Sequence, residues 1–193
     1  MTKGVSIFCL IIVFFLFVTL IVFGIYDYII SYQYEKEIGS YMETATDTIT
    51  PESFREQLVF FKEAIAKSGL TENDYGAMWF KKPDNSMKFQ MQHIDSIIGR
   101  ADAMIQWKNT VYNNGTQTVP AGQISAEAFR DVYNDKMNNL RTYIHAEGFR
   151  SDWIAKDSWY VKNHSVMYFA GEIVFVIILL IILFGIIGGA TWE

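Results

Sequence analysis

The 193-residue sequence contains one cysteine and three histidines, and it has no stretch that alternates between apolar and polar residues. A single thiol excludes an intrachain disulfide, and it also excludes a cysteine cluster for zinc or an iron–sulfur centre. The missing alternation argues against half-buried β-strands. The sequence therefore indicates a helical protein without a cysteine-based metal site.

Charge is missing from two long runs, residues 5–25 and 173–190. As helices these runs are about 31 Å and about 27 Å long, close to the hydrocarbon thickness of roughly 30 Å. No small-x-small cleavage site follows the first run, so we interpret it as a span and not as a signal peptide. Together with a hydrophobic content of 51%, the two runs exclude a soluble globule, a disordered chain and a multidomain enzyme.

Aromatic residues flank both runs, as they do at the two faces of a bilayer. We interpret these residues as interfacial anchors. Tyr26, Tyr28, Tyr32 and Tyr34 follow the first run, Trp159, Tyr160 and Tyr168 precede the second run, and Trp192 follows the second run.

Two spans place both termini on one side of the membrane and residues 26–172 on the other. This central segment holds every charged residue except Lys3 and Glu193, which gives it 15 basic and 20 acidic residues. Lys3 and the α-amino group favour cytoplasmic tails, residues 1–4 and 191–193. We therefore expect a two-pass protein of the inner (plasma) membrane, with the central domain in the periplasm or outside the cell.

The central segment shows helical periodicity almost throughout. The apolar stripe of the first span continues to about Thr46, and Thr50-Pro51-Glu52 is a typical helix start. Gly69 is a plausible helix terminator, and a helix of about 27 residues follows from Ser86.

Ser125, followed closely by Glu127, predicts another helix start, and Gly148 is expected to interrupt that helix. Residues from about Trp153 onward are expected to continue into the second span. The predicted fold is an all-α membrane protein in which two transmembrane helices flank an extramembrane antiparallel helical bundle. In this prediction two bundle helices are continuous with the spans.

No catalytic or cofactor motif is present. His93, His145 and His164 have no metal-binding spacing, and the sequence lacks both a Gly-x-Ser-x-Gly elbow and a Gly-x-Gly-x-x-Gly loop. The acidic charge argues against nucleic-acid binding. We therefore expect no enzyme activity and no cofactor, with a metal or haem site assembled from these histidines as one alternative.

Polar and aromatic residues are concentrated at Arg100-Ala101-Asp102 and in two later segments. Arg100 and Asp102 lie two positions apart, so on a helix each must meet a different partner. Structural ion pairs and membrane anchors account for this pattern, and so does a partner or ligand pocket, in which arginine and aromatic residues are enriched. The candidate contact residues are Arg100, Asp102, Trp107, Trp153, Trp159 and Tyr160.

The second span contains Gly185, Gly188 and Gly189. Small residues let a neighbouring membrane helix approach closely, although glycine is also frequent in membrane helices generally. These three positions are candidate transmembrane packing sites.

Two resemblances bear on function. The segments Arg100-Ala101-Asp102 and Asp157-Ser158-Trp159-Tyr160 resemble an uncharacterised bacterial family of membrane-anchored helical proteins, which has no established activity. The layout of span, helical bundle and span resembles the sensory half of a bacterial transmembrane receptor. Only three residues follow Ala190, so we expect any signal to pass to a separate protein.

The sequence favours a non-catalytic structural or accessory subunit of a larger membrane protein complex. Its expected partners are the lipid bilayer and other membrane subunits, in a hetero- or homo-oligomer. The alternatives are an extracytoplasmic ligand-sensing or ligand-binding module that signals through a partner, and a metal- or haem-binding redox subunit.

Overall fold

A computed structural model describes residues 3–76, 81–113, 116–117 and 125–190 of the chain. Contacts divide the chain into two compact units. The terminal unit consists of Met1–Gln33 and Asn163–Glu193, and the central unit is Tyr34–Lys162.

The fold is helical, as predicted. The helices are α1 (Lys3–Tyr34), α2 (Ser40–Asp47), α3 (Pro51–Lys67), α4 (Met87–Val111), α5 (Ala126–Tyr143), α6 (Phe149–Asn163) and α7 (Ser165–Ala190). The π-helical turns Glu35–Gly39 and Ile144–Gly148 join α1 to α2 and α5 to α6, and the 3-10 turn Pro83–Asn85 precedes α4. The sequence showed no strand pattern, yet β1 (Tyr112–Asn113) and β2 (Thr116–Gln117) form one short antiparallel pair.

One continuous helical stretch, Phe14–Asp47, is long and apolar enough to cross a membrane, with a mean hydropathy of 2.1. Phe14, Phe15 and Phe17 are each about 60% exposed, which is the pattern of a helix that presents apolar side chains to lipid. The predicted continuation of the first span to about Thr46 is confirmed, with a π-helical turn inside it. The second predicted span falls in α7, whose side chains beyond Ile178 lie outside the described residues.

The predicted helix boundaries of the central unit have identifiable causes. The Thr50 side chain accepts a hydrogen bond of 3.2 Å from the Ser53 N–H, with Pro51 at the first helical position of α3. Gly69 has φ +82°, a left-handed conformation that ends α3 and that glycine adopts without strain. The predicted start and end of this helix are therefore confirmed.

Helices α3 and α4 run antiparallel, as three ion pairs along their length show. Arg55 Nε lies 2.6 Å from Asp102 Oδ1. The other two pairs are Lys62 with Asp95 and Lys108 with Glu52. Such exposed pairs contribute about 0–1 kcal/mol each, so apolar burial accounts for most of the stability of the contact.

The apolar core of the central unit draws on every helix from α2 to α6. Its fully buried side chains come from these helices, from the end of α1 and from the two π-helical turns. They include Tyr34, Ile38, Met42, Phe54, Leu58, Phe61, Met87, Ile94, Ile97 and Ile144.

Within the terminal unit, α1 and α7 are in contact near their polar ends. Tyr26 Oη lies 2.8 Å from His164 Nδ1, and the two rings meet edge to face. A β-carbon at Gly171 would lie 3.8 Å from the Phe23 ring, so Gly171 lies at an ordinary van der Waals packing distance from α1.

The predicted continuity between the last central helix and the second span is wrong. The helix breaks at His164, whose carbonyl accepts the Tyr168 N–H at 3.0 Å and begins α7. The His164 ring contacts Tyr26, which lies 138 residues away in the sequence, at the position where the helix breaks. The local sequence contains no pattern that predicts this break.

Candidate functional site: the cation–aromatic surface of α4 and α5

Arg100 and Asp102 point to different neighbours, as their spacing requires. The Arg100 guanidinium lies over the Tyr143 ring of α5, 4.0 Å from its centre. Asp102 faces the other side of α4 and pairs with Arg55. Asp102 is therefore a structural ion-pair residue, whereas Arg100 stacks on an aromatic ring.

Trp107 lies farther along α4 and also faces α5. Its ring stacks on Phe129, with centroids 5.3 Å apart and an interplanar angle of 7°. The Lys136 ammonium lies 5.2 Å from the centre of the Trp107 ring. Aromatic side chains thus hold two cations on one surface, and each such contact is worth about 0.5–1 kcal/mol at an exposed site.

A groove of about 260 Å³ lies between these two cations. Its walls combine cationic, amide and apolar side chains from both helices. The lining residues are Arg100, Ala103 and Met104 of α4, and Lys136, Asn139 and Leu140 of α5. Met104 and Leu140 are buried and form the apolar floor. We call this feature the α4–α5 groove.

Neither Arg100 nor Lys136 pairs with a carboxylate among the described residues. Asp102 pairs with Arg55 on the other side of α4, and Asp135 accepts a hydrogen bond from the Asn139 amide at 3.3 Å. Two cations therefore line the groove without an ion-pair partner among the described residues.

The sequence identified Arg100 and Trp107 but missed Lys136 and Tyr143. A usable signal existed, because Phe129, Lys136 and Tyr143 recur every seven residues and therefore share one face of α5. A lysine inside an aromatic stripe is an indication of a cation–aromatic surface.

The later aromatic candidates do not join this groove. Trp153 is 64% exposed on α6, and Tyr160 is partly buried on the same helix. Trp159 is only 7% exposed and packs 6.0 Å from the Tyr34 ring, so it belongs to the core and has little surface for a partner. The interpretation of Tyr34 and Trp159 as membrane anchors is wrong for the same reason.

A polar pair, the buried Tyr34 and the half-buried Asp152, lies beside this aromatic contact. The Tyr34 hydroxyl donates to Asp152 Oδ1 at 2.7 Å and is also 3.0 Å from the Asp152 backbone oxygen. Burial raises the pKa of Asp152 to about 6; the Tyr34 hydrogen bond and Lys156 act against the rise, and Glu35 adds to it. Burial also raises the pKa of Tyr34 well above its usual value, so this phenol stays protonated.

The three histidines lie in three different environments. His93 is 3.4 Å from Glu147, His145 stacks on Phe149, and His164 meets Tyr26. Within the described ranges, no group of three or more histidine, cysteine or carboxylate side chains could hold a metal ion.

The packing candidates Gly185, Gly188 and Gly189 lie on the helical backbone of α7, and their surroundings fall outside the described residues, as do Trp192 and the predicted C-terminal tail.

No protein-family profile matches the chain, and no curated protein and no solved structure is significantly similar to it.

Proposed function

We propose that this protein is a non-catalytic accessory subunit of a larger membrane protein complex. The observation that carries the proposal is the cation–aromatic surface of α4 and α5, where Arg100 and Lys136 have no carboxylate partner among the described residues. Arginine and tryptophan are the residues on which binding surfaces most often depend. The central unit supplies this surface, and the terminal unit anchors it.

The anchoring part of the proposal is a two-pass topology. The uncharged run 5–25 of the long N-terminal helix supplies the first span, and the uncharged run 173–190 of α7 supplies the second. The single basic residue of the N-terminal tail, Lys3, favours cytoplasmic termini and an extracytoplasmic central unit of helices packed as a bundle. In this arrangement Gly185, Gly188 and Gly189 offer a partner span a close approach.

Topology is tested by cysteine labelling in a Cys9→Ser background. A membrane-impermeant maleimide should label Glu127→Cys, an exposed position on α5, in intact spheroplasts. It should label Glu193→Cys only after lysis. Labelling of both positions in intact spheroplasts would exclude two spans with cytoplasmic termini.

The accessory role is tested by purification of the tagged full chain in a mild detergent, followed by mass spectrometry of the eluate. A second protein in constant ratio to the chain, retained through size exclusion, is the expected result. A monodisperse chain without a co-purifying protein would overturn the accessory role.

A ligand-binding module that signals through a partner is the second candidate, and the α4–α5 groove is the observation that favours it. The groove is somewhat smaller than the roughly 300–1,000 Å³ of typical small-molecule sites, which places this candidate second. A thermal-shift screen of the full chain with small anionic metabolites discriminates between the accessory role and the ligand-binding role. Stabilisation that Arg100→Ala abolishes would favour the ligand-binding role.

A further inference from the structure

We infer that the α4–α5 groove binds an acidic peptide segment of the partner protein, an inference that rests on the proposed accessory function. The first argument is charge. Arg100 and Lys136 line the groove from two different helices, and neither forms an ion pair with a described carboxylate. An incoming carboxylate therefore meets two cations without displacing an existing ion pair.

The second argument is preorganisation. Tyr143 lies beneath the Arg100 guanidinium, and Trp107 lies beneath the Lys136 ammonium. The Trp107 ring is itself held by its stack on Phe129. Because the rings already restrict both long side chains, binding loses less side-chain entropy than it would with free surface cations.

The third argument is the composition and size of the groove. Its floor is apolar, formed by Met104 and Leu140, and Asn139 adds an amide at the rim. A glutamate side chain matches this composition, since its methylene groups fit an apolar floor while its carboxylate reaches the cations. A volume of about 260 Å³ suits one or two peptide side chains better than a complete small molecule.

The test uses the full chain in detergent micelles and a fluorescein-labelled hexaglutamate peptide, with a hexaglutamine peptide as the uncharged match. Fluorescence anisotropy at low ionic strength should show binding of hexaglutamate and none of hexaglutamine. Addition of salt should weaken the binding, because the contacts are electrostatic and partly exposed.

Two double variants with the same change in net charge identify the site. Arg100→Glu with Lys136→Glu should weaken hexaglutamate binding by about tenfold or more. Lys88→Glu with Arg130→Glu alters exposed residues of α4 and α5 outside the groove, and it should leave binding within about twofold of the wild type. If the first variant unfolds by circular dichroism, Arg100→Gln with Lys136→Gln replaces it and should also lose affinity.

Equal weakening by both double variants, or no binding of hexaglutamate to the wild type at about 1 mM, would overturn the inference. Self-association of the chain that the groove variant abolishes would also overturn it, because the occupant would then be a second copy. If the partner still co-purifies with the groove variant at wild-type yield, the groove assignment fails while the accessory function stands. If no partner co-purifies with the wild type, the accessory function itself fails.

Discussion

The Tyr34 hydroxyl donates a 2.7 Å hydrogen bond to Asp152 Oδ1 and connects the first helical turn of the central unit with α6, 118 residues later. Tyr34 is fully buried and Asp152 is half-buried, and the Trp159 ring packs against Tyr34. The central unit therefore contains a titratable carboxyl group that accepts a short hydrogen bond from a phenol. This pair makes the stability of the fold depend on pH.

Asp152→Asn is expected to stabilise the protein at pH 7.5 and to reduce its pH dependence. Burial raises the pKa of Asp152 in the folded state from 3.8 to about 6. Between these two pH values the folded state therefore binds more protons than the unfolded state. The contribution of Asp152 to stability is therefore full below about pH 4 and is lost as the pH rises through 6. We expect a gain on the order of 1–3 kcal/mol at pH 7.5 and almost none at pH 4.

Thermal unfolding followed by circular dichroism at these two pH values measures the difference. Asp47→Asn, at an exposed position of α2, is the control and should change little at either pH. An equal effect of Asp152→Asn at both pH values would contradict the raised pKa.

Tyr34→Phe is expected to destabilise the protein by about 1–3 kcal/mol, because it removes a buried donor from the half-buried Asp152 carboxyl group. The loss should be larger at pH 7.5, where Asp152 is ionised, than at pH 4. Tyr28→Phe is the matched control, since Tyr28 is 73% exposed and should lose almost nothing. A loss for Tyr34→Phe that does not change with pH would mean that the hydroxyl does not interact with the Asp152 carboxylate.

Phe60 and Phe61 provide a test of which face of α3 is buried. Phe61 is fully buried, so Phe61→Ala should cost about 3–5 kcal/mol through the cavity it leaves. Phe60 is 38% exposed, so Phe60→Ala should cost considerably less. Chemical denaturation of the two variants measures the contrast, and equal losses would show that α3 buries a different face.

Gly148 and Gly99 should respond in opposite directions to alanine. A β-carbon at Gly148 would lie 2.5 Å from Ile144 Cγ1 and 3.2 Å from Met42 Sδ, so Gly148→Ala should cost about 1–3 kcal/mol by overpacking. A β-carbon at Gly99 meets nothing within 4 Å, and Gly99→Ala should stabilise α4 by about 0.5–1 kcal/mol. A melting temperature that does not fall for Gly148→Ala would contradict the packing around Gly148.

Local signals were sufficient to predict most of the helical elements. Thr50 and Pro51 begin α3 by a capping bond and a fixed φ, and Gly69 ends it by a positive φ, so the relevant physics lies within a few residues. Gly148 was expected to interrupt its helix, and it lies in the π-helical turn between α5 and α6.

The missed features depend on contacts between distant residues. The break at His164 coincides with a contact to Tyr26, which no local pattern encodes. Tyr34 and Trp159 lie next to apolar runs, where a sequence cannot distinguish a membrane anchor from a core residue, and both are buried. For the candidate site, the sequence identified Arg100 and Trp107, but their partners on α5 required the packing of two helices.

The mass of the particle that mild detergent extracts tests the central claim most directly. Native mass spectrometry should show the 22.3 kDa chain bound to at least one different protein in fixed stoichiometry. The Arg100→Glu, Lys136→Glu variant should release that protein while it remains folded. A particle that contains only a single 22.3 kDa chain, in wild type and variant alike, would contradict the account.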